Sequence, residues 1–195
     1  PGDIVNVKIT RKKKSFLEGR ITEIVKPSEN RLEPFCEHFG VCGGCRWQPL
    51  PYDIQLAAKQ RQVYDQLTRI GHLSLPPISP IIGSDKTTEY RNKLEYSASC
   101  KRWLDEDEIK DSENFNQPGL GFHVGKFFDK VLDIRHCPLQ PEPSNAIRLF
   151  VRKYAIEHRI SFYDIRENSG VFRNMFVRNT DDGQVMVIMC FGENS

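Results

Sequence analysis

Three cysteines of the chain lie within ten residues of one another, in the run CEHFGVCGGC. Cys36, Cys42 and Cys45 follow the spacing C-x5-C-x2-C, and two glycines fill the second gap. Glycine lets the backbone turn tightly, so the thiols and nearby amides of such a loop can face a common point. Thiolates bind soft metals and iron–sulfur clusters, whose sulfurs also accept amide hydrogen bonds. We therefore predict that these three cysteines are ligands of one metal centre.

A fourth ligand must come from another part of the chain, because iron–sulfur clusters are held by about four thiolates. Cys137 is the best candidate, since it stands at the end of a predicted strand and Pro138 disfavours helix there. Three clustered ligands and one remote ligand favour a [4Fe–4S] cluster. Zinc is the alternative, bound by all four cysteines or by the clustered three with His38 or His136. Either centre would be structural and would join residues 36–45 to residue 137.

The remaining cysteines have a different character. The chain has six cysteines and no secretion signal, a combination that argues against a disulfide framework. Cys100 and Cys190 lie in apolar, strand-like runs, which predicts packing rather than nucleophilic chemistry. The C-x3-C-x2-C spacing of radical S-adenosylmethionine enzymes is absent. We predict no catalytic residue in this chain.

Composition sets the class of protein. Hydrophobic residues make up 38% of the 195 residues, charged residues 28% and aromatic residues 10%, as in a soluble globular protein. No apolar stretch approaches the roughly 18–20 residues of a spanning helix, and we expect a cytoplasmic monomer. Residues 1–34 hold eight Lys or Arg against five Asp or Glu, whereas residues 105–113 are mostly acidic. Such an uneven distribution bears on the question of a polyanionic partner, but either run taken alone is more typical of a solvated loop.

The hydrophobic pattern predicts an α+β protein with three regions. Residues 1–34 have two strand-like runs, 5–9 and 16–25, that form a hairpin with a basic tip. An isolated hairpin is marginal in water, so we expect it to belong to a small β-barrel or to pack on a later part. Residues 35–80 hold the cysteine loop, a helix over 53–70 and a proline-rich linker.

Residues 81–195 are predicted to form an antiparallel β domain with helix cover. Alternation over 94–100 predicts a strand with Leu94, Tyr96, Ala98 and Cys100 on its buried face. Further strands are expected at 119–124, 127–134, 170–178 and 184–191, and the acidic residues 105–116 are expected to form a loop. A helix should begin at Ser144 as its N-cap and end near residue 158. Its predicted buried stripe consists of Ile147, Phe150, Val151 and Tyr154.

Longer motifs connect the chain to a family. The segment CEHFGVCGGCRWQPLPYDIQLAAKQ resembles the cluster-binding segment of bacterial RNA (uracil-5-)-methyltransferases, in particular those that modify 23S ribosomal RNA. Residues 1–25 resemble the second half of the family's TRAM barrel, an OB-like RNA-binding module. Four further segments are similar to family motifs and occur in the same order: YRNKL from residue 90, GLGF from 119, DIRHCPL from 133 and GVFRNMFVR from 170.

The resemblance implies a [4Fe–4S] centre, S-adenosylmethionine as methyl donor and attack of a cysteine thiolate on C6 of a flipped-out uracil. Methylation at C5 then follows, and a general base removes the C5 proton. In the family these groups lie in a C-terminal Rossmann-like domain, which we find no sign of in the sequence up to Ser195. We therefore expect the chain to be the RNA-binding and cluster-bearing portion of a 23S rRNA methyltransferase, inactive by itself.

RNA recognition combines cations for phosphates with aromatic or guanidinium planes for unstacked bases. Arg91 and Lys93 resemble the family's basic motif at the target-uridine pocket, and Arg173 and Arg178 resemble its G-x-x-R-x-x-x-x-R pattern. The other predicted RNA contacts are Arg46 and Trp47 after the cysteine loop, Phe122, His123, and Lys12 and Lys13 at the hairpin tip. The alternatives are a zinc-stapled nucleic-acid-binding module without catalytic activity and an iron–sulfur electron carrier.

Overall fold

A computed structural model describes residues 2–125 and 127–192. The outer limits predicted at residues 1 and 195, and residue 126 between two predicted strands, lie outside these ranges. The chain divides into two compact units, one made of Pro1–Pro34 with Trp47–Gly83 and the other of Phe35–Arg46 with Ser84–Ser195. The cysteine loop thus belongs to the same unit as Cys137. The sequence-based division differs here, since it grouped the loop with the helix that follows it.

The first unit contains the predicted hairpin. Strands β1 (Ile4–Lys12) and β2 (Leu17–Lys26) pair antiparallel. Helix α1 (Tyr52–Asp65) continues into a π-helical turn, Gln66–Ile70, and buries none of its residues. Among the described residues the hairpin is a two-stranded sheet and closes no barrel, so the predicted barrel is not confirmed.

The second unit is built on a five-stranded antiparallel sheet with the spatial order β5-β4-β3-β6-β7. Its strands are β3 (Lys93–Ser99), β4 (Gly119–His123), β5 (Val131–Leu132), β6 (Phe172–Asn179) and β7 (Val185–Phe191). The predicted alternation in β3 is confirmed, because Leu94, Tyr96 and Ala98 are all buried. Cys100 is half-buried and packs against the same core.

Helix α3 (Ser144–Glu157) packs on this core with a face that differs from the predicted one. Ile147 and Val151 contact the core, but Phe150 is 68% exposed and Tyr154 47% exposed. The fully buried positions of α3 include the polar residues Ser144, Asn145 and Arg148, together with Ala155. The helix turns this polar face inward because Asn145 and Arg148 hydrogen-bond to buried main-chain groups of neighbouring segments. Pro143, not Ser144, is the N-cap residue.

Two other predictions are corrected by local hydrogen bonding. The acidic segment expected to be a loop contains helix α2 (Glu106–Asp111), which starts with a capping box formed by Asp105 and Glu108. The strand expected over 127–134 is reduced to β5, because the Val124 amide bonds to the Lys130 carbonyl and the chain turns between them. None of the helices in the described part of the chain has the length and apolar character needed to cross a bilayer.

Candidate cysteine centre and nucleic-acid interface

The cysteine loop is fastened to the end of β4. Cys42 forms an isolated antiparallel bridge with Val124, and the Gly43 amide donates to the His123 carbonyl at 3.0 Å. A Cβ atom on Gly43 would lie 2.6 Å from that carbonyl oxygen, so only glycine permits this close approach. Gly43 therefore has a packing role: it lets the cysteine loop approach the end of β4 closely.

His38 connects the same loop to the segment that carries Cys137. Its Nε2 accepts the Arg135 amide at 2.8 Å, and Glu37 forms an ion pair with the Arg135 guanidinium. Glu37 Oε1 is also 3.5 Å from Nε2, but the closer amide requires an unprotonated Nε2. Burial lowers the pKa of His38, which favours the neutral ring with its proton on Nδ1. Neither nitrogen then has a free lone pair, which argues against His38 as a zinc ligand.

Cys137 is held by the first turn of α3. It is 7% exposed, its amide donates to Asn145 Oδ1 at 2.8 Å, and its carbonyl accepts from Asn145 Nδ2 at 3.3 Å. One turn further along the helix, Arg148 Nη2 donates to the Arg135 carbonyl at 2.9 Å. The backbone before and at Cys137 is thus clamped between His38 of the cysteine loop and two side chains of α3.

Two of the predicted ligands, Cys137 and Cys42, have raised pKa values. Burial raises the pKa of the Cys137 thiol to about 11, and the charges of Cys45, Cys36 and Cys42 add to the increase. Burial likewise raises the pKa of Cys42, with further contributions from Cys45 and Cys36, and the Gly44 amide lies 3.4 Å from Cys42 Sγ. Within residues 2–125 and 127–192, no three His, Cys, Asp or Glu side chains are arranged to hold one metal ion. The structure places all four cysteines in the second unit.

Asn145 offers a test of this clamp. Asn145→Leu keeps the side-chain size but leaves the buried amide and carbonyl of Cys137 without their partner, at a cost of roughly 1–3 kcal/mol for each unsatisfied group. We expect the free energy of unfolding to fall by about 2–4 kcal/mol in urea titrations of the reduced, metal-free chain. Lys153→Ala, on the exposed face of α3, is the control and should change it by less than about 0.5 kcal/mol. A loss as small as the control's would contradict the clamp.

The register between β3 and β6 brings two predicted RNA contacts together. Lys93 lies directly opposite Arg178, and both side chains are exposed. Like charges at opposed positions are unfavourable in a sheet, so the pair suits a surface that meets an anion. Arg173, near the other end of β6, lies with its guanidinium 4.8 Å from the Tyr163 ring centroid. Arg91 precedes β3, and its guanidinium lies 5.9 Å from the ring centroid of Tyr90.

A shallow groove of about 560 Å³ lies beside the cysteine loop. Arg46 and His123 line it together with Phe127 and Phe128, which are 45% and 64% exposed. The two phenylalanines were missed in the sequence because 127–134 reads as a continuous strand, in which alternate residues would be buried. Phe122 also borders the groove, but its ring stacks on buried Tyr96 with centroids 5.3 Å apart. That packing is typical of a core side chain and disfavours the predicted base contact of Phe122.

The remaining predicted contacts lie in the first unit. Trp47 is 46% exposed, and the boundary between the units separates it from Arg46. Lys12 is the last residue of β1, and Lys13 follows in the turn with its Nζ 4.8 Å from the Phe16 ring centroid. Lys13 Nζ is also 4.0 Å from Glu18 Oε1, so part of its charge is balanced locally.

The proteins that this chain resembles in sequence are RNA methyltransferases, the class that the sequence motifs indicate. No protein-family model matches the chain. It is 46% identical over 197 residues to an uncharacterized RNA methyltransferase of Porphyromonas gingivalis, covering 98% of this chain and 42% of that protein. A Bacteroides thetaiotaomicron protein of the same name is 49% identical over 190 residues, covering 97% of this chain and 42% of that protein. The chain thus spans less than half the length of these relatives.

Among solved structures, the chain is similar to Pyrococcus abyssi tRNA (uracil-54, C5)-methyltransferase in complex with S-adenosyl-L-homocysteine. The TM-score is 0.64 at 25% sequence identity, and the match covers all of this chain and 40% of that one. The homologues and the structural match together support the RNA methyltransferase family that the sequence motifs indicate.

Proposed function

We propose that the chain is the RNA-binding and cluster-bearing portion of an S-adenosylmethionine-dependent 23S rRNA (uracil-5-)-methyltransferase. The observation that carries the proposal is that Cys36, Cys42 and Cys45 lie in the same compact unit as Cys137, in a chain similar to RNA methyltransferases. The solved neighbour, a uracil-C5 methyltransferase that binds S-adenosylhomocysteine, supports the reaction and the methyl donor. The 23S substrate is supported by the resemblance of the cysteine segment.

The case for a [4Fe–4S] cluster rests on the number and type of the ligands, four cysteines, and on the Gly44 amide, which lies 3.4 Å from Cys42 Sγ. When bound, the cluster would supply a rigid cross-link between the loop and the segment at Cys137. The residues around it have complementary tasks. Gly43 anchors the loop to β4, His38 orients the Arg135 amide, and Asn145 orients Cys137.

RNA would bind first through the cationic side chains at the β3–β6 pair. Lys93 and Arg178 would contact phosphates, and Arg91 and Arg173 would offer guanidinium planes at either end of this surface. In the groove, Phe127 and Phe128 would stack an unpaired base, with Arg46 and His123 at its edge. Trp47, Lys12 and Lys13 of the first unit are proposed as further RNA contacts. In the relatives, we propose that methyl transfer is carried out by the region that this chain does not match.

Anaerobic purification tests the metal centre. We expect a brown protein with about four iron and four sulfide per chain. A colourless chain loaded with zinc would contradict the cluster and favour the zinc-stapled module.

RNA titrations at several salt concentrations test the second half of the proposal. We expect the dissociation constant for a 23S rRNA fragment to rise steeply with salt, because the contacts displace counterions from phosphates. A tRNA of similar length serves as the specificity control. Equal affinity for both RNAs would contradict the 23S assignment, and the absence of binding at low salt would contradict RNA binding by this chain.

A further inference from the structure

A small cavity lies beside β3, on the face of the sheet that turns away from the core. Tyr96 and Ala98 belong to the core, and side chains alternate along a strand, so the half-buried Ser97 between them faces the opposite side. Ser97 is one of the residues that line the cavity. The volume of the cavity is about 150 Å³, and it opens to solvent beside the exposed residues His123 and Arg173.

Several polar side chains at this cavity are available to a ligand. Within residues 2–125 and 127–192, the side chains of Ser97, His123 and Arg173 form no hydrogen bond with another residue. Asn174 lies directly across from Ser97 and donates from Nδ2 to Glu95 Oε1 at 2.8 Å, which leaves its Oδ1 as an acceptor. Ligand pockets typically combine apolar walls with a few convergent polar groups of this kind.

Two charged side chains line the cavity, and only one of them is paired. Asp129 is buried, and its Oδ2 accepts from Arg166 Nε at 2.6 Å. Arg173 has no carboxylate partner in the described part of the chain, and its guanidinium lies over the Tyr163 ring, 4.8 Å from the centroid. A guanidinium in such a position offers a flat ring both hydrogen-bond donors and a plane for stacking.

The size and walls of the cavity suit one flat heterocyclic ring. Its volume equals that of about five water molecules at roughly 30 Å³ each, which is room for a single six-membered ring with its exocyclic atoms and too little for two fused rings. Val131, Tyr163 and Ile165 supply apolar or aromatic walls. The buried Asp129 carboxylate disfavours a phosphate in the same space, because like charges repel.

We infer that this cavity binds a single unstacked pyrimidine base, with Ser97 and Asn174 as hydrogen-bonding groups and the Arg173 guanidinium as a stacking plane. The inference rests on the proposed function, which supplies the RNA. His123 lines both the cavity and the shallow groove beside the cysteine loop, so the two sites adjoin each other. Sequence-specific RNA recognition commonly reads unpaired bases that are splayed out of their stack. The groove would accept any base by stacking, and the cavity would select a pyrimidine next to it.

Nucleosides test the cavity without a contribution from phosphate. We expect uridine and cytidine, titrated into the 195-residue chain, to shift the NMR amide signals of Ser97, His123 and Asn174 in a saturable way. Adenosine should bind several-fold more weakly, because its two fused rings exceed the cavity, and ribose 5-phosphate should leave these signals unchanged. Equal shifts with ribose 5-phosphate would assign the cavity to an anion, and equal affinity for adenosine would contradict the preference for a single ring. Either result overturns the inference.

Ser97→Ile fills the cavity without a change of charge, and isoleucine is well suited to a strand. Affinity for the 23S rRNA fragment should fall roughly tenfold in this variant, because the contacts of one base are lost. The slope of log affinity against log salt should stay the same, since no phosphate contact changes. Asn116→Ile, which adds the same side chain at an exposed loop position after α2, is the control and should bind like the unmodified chain.

A second variant keeps the test decisive if isoleucine disturbs the sheet. Arg173→Gln alters an exposed position and should weaken uridine binding several-fold. Unchanged uridine binding in both variants, or no saturable shift with any nucleoside, would overturn the inference. If the RNA fragment binds the unmodified chain and Ser97→Ile equally, the cavity is not a base site while the proposed RNA binding stands. If uridine binds as expected and the RNA does not, the cavity stands and the proposed function fails.

Discussion

Cys137→Ser is expected to abolish cluster assembly. The cysteine loop supplies three thiols, and Cys137, which lies in the same unit, is the proposed fourth ligand. A serine hydroxyl is a poor ligand for iron in this setting, so one iron of the cluster would lack its protein ligand. The iron content after anaerobic reconstitution should fall from about four per chain to below about one, and the visible absorbance should disappear with it.

Cys100→Ser is the matched control for this experiment. Cys100 is half-buried, and its Sγ lies 3.4 Å from Asp164 Oδ2, which in turn pairs with Lys101 at 2.6 Å. Its surroundings therefore resemble a packed strand end with a local polar network. Cys100→Ser should keep full iron and sulfide content. Loss of iron from Cys100→Ser, or full retention by Cys137→Ser, would show that the fourth ligand had been assigned to the wrong residue.

The strand that carries this fold was predictable, and its covering helix was predictable only in extent. Leu94, Tyr96 and Ala98 alternate in the sequence because one face of β3 is buried, and the structure confirms that face. In α3 the apolar pattern placed Phe150 and Tyr154 inward. The structure instead buries Asn145 and Arg148, because their partners are main-chain groups from distant segments. The spacing of apolar residues in a sequence cannot predict that a polar side chain will hydrogen-bond to the main chain of a distant segment.

At the candidate site, too, features set by neighbouring residues could be predicted from the sequence, whereas contacts between distant residues could not. The spacing of Cys36, Cys42 and Cys45 is local, and the sequence alone is enough to indicate a ligand loop there. The contact between His38 and the Arg135 amide joins residues 97 positions apart, and it changes the role of a histidine that was a possible zinc ligand. The shortened strand β5 has the same origin, since the bond between Val124 and Lys130 replaces ladder pairing with a turn and leaves Phe128 exposed.

The second large effect is expected from the cation pair on the sheet. Lys93→Gln together with Arg178→Gln removes two phosphate contacts if this surface binds RNA. The slope of log affinity against log salt should then become shallower by about two, and affinity at low salt should fall roughly 10- to 100-fold. Lys110→Gln with Lys153→Gln is the control, because it removes the same charge from exposed helix positions that pair with Asp107 and Glu157. If the control pair weakens RNA binding equally, the effect comes from the net charge of the chain and not from contacts made by Lys93 and Arg178.

The same double variant should affect stability in the opposite direction. Lys93 and Arg178 are opposed like charges across two paired strands, an arrangement that destabilises a sheet by roughly 0.2–1 kcal/mol. Their replacement by glutamine should therefore leave the free energy of unfolding unchanged or raise it by a few tenths of a kcal/mol, measured in urea without RNA. A variant that is at least as stable and yet binds RNA more weakly would mean that the repulsion is retained for the ligand. A loss of stability together with binding would instead assign both residues to the packing of the sheet.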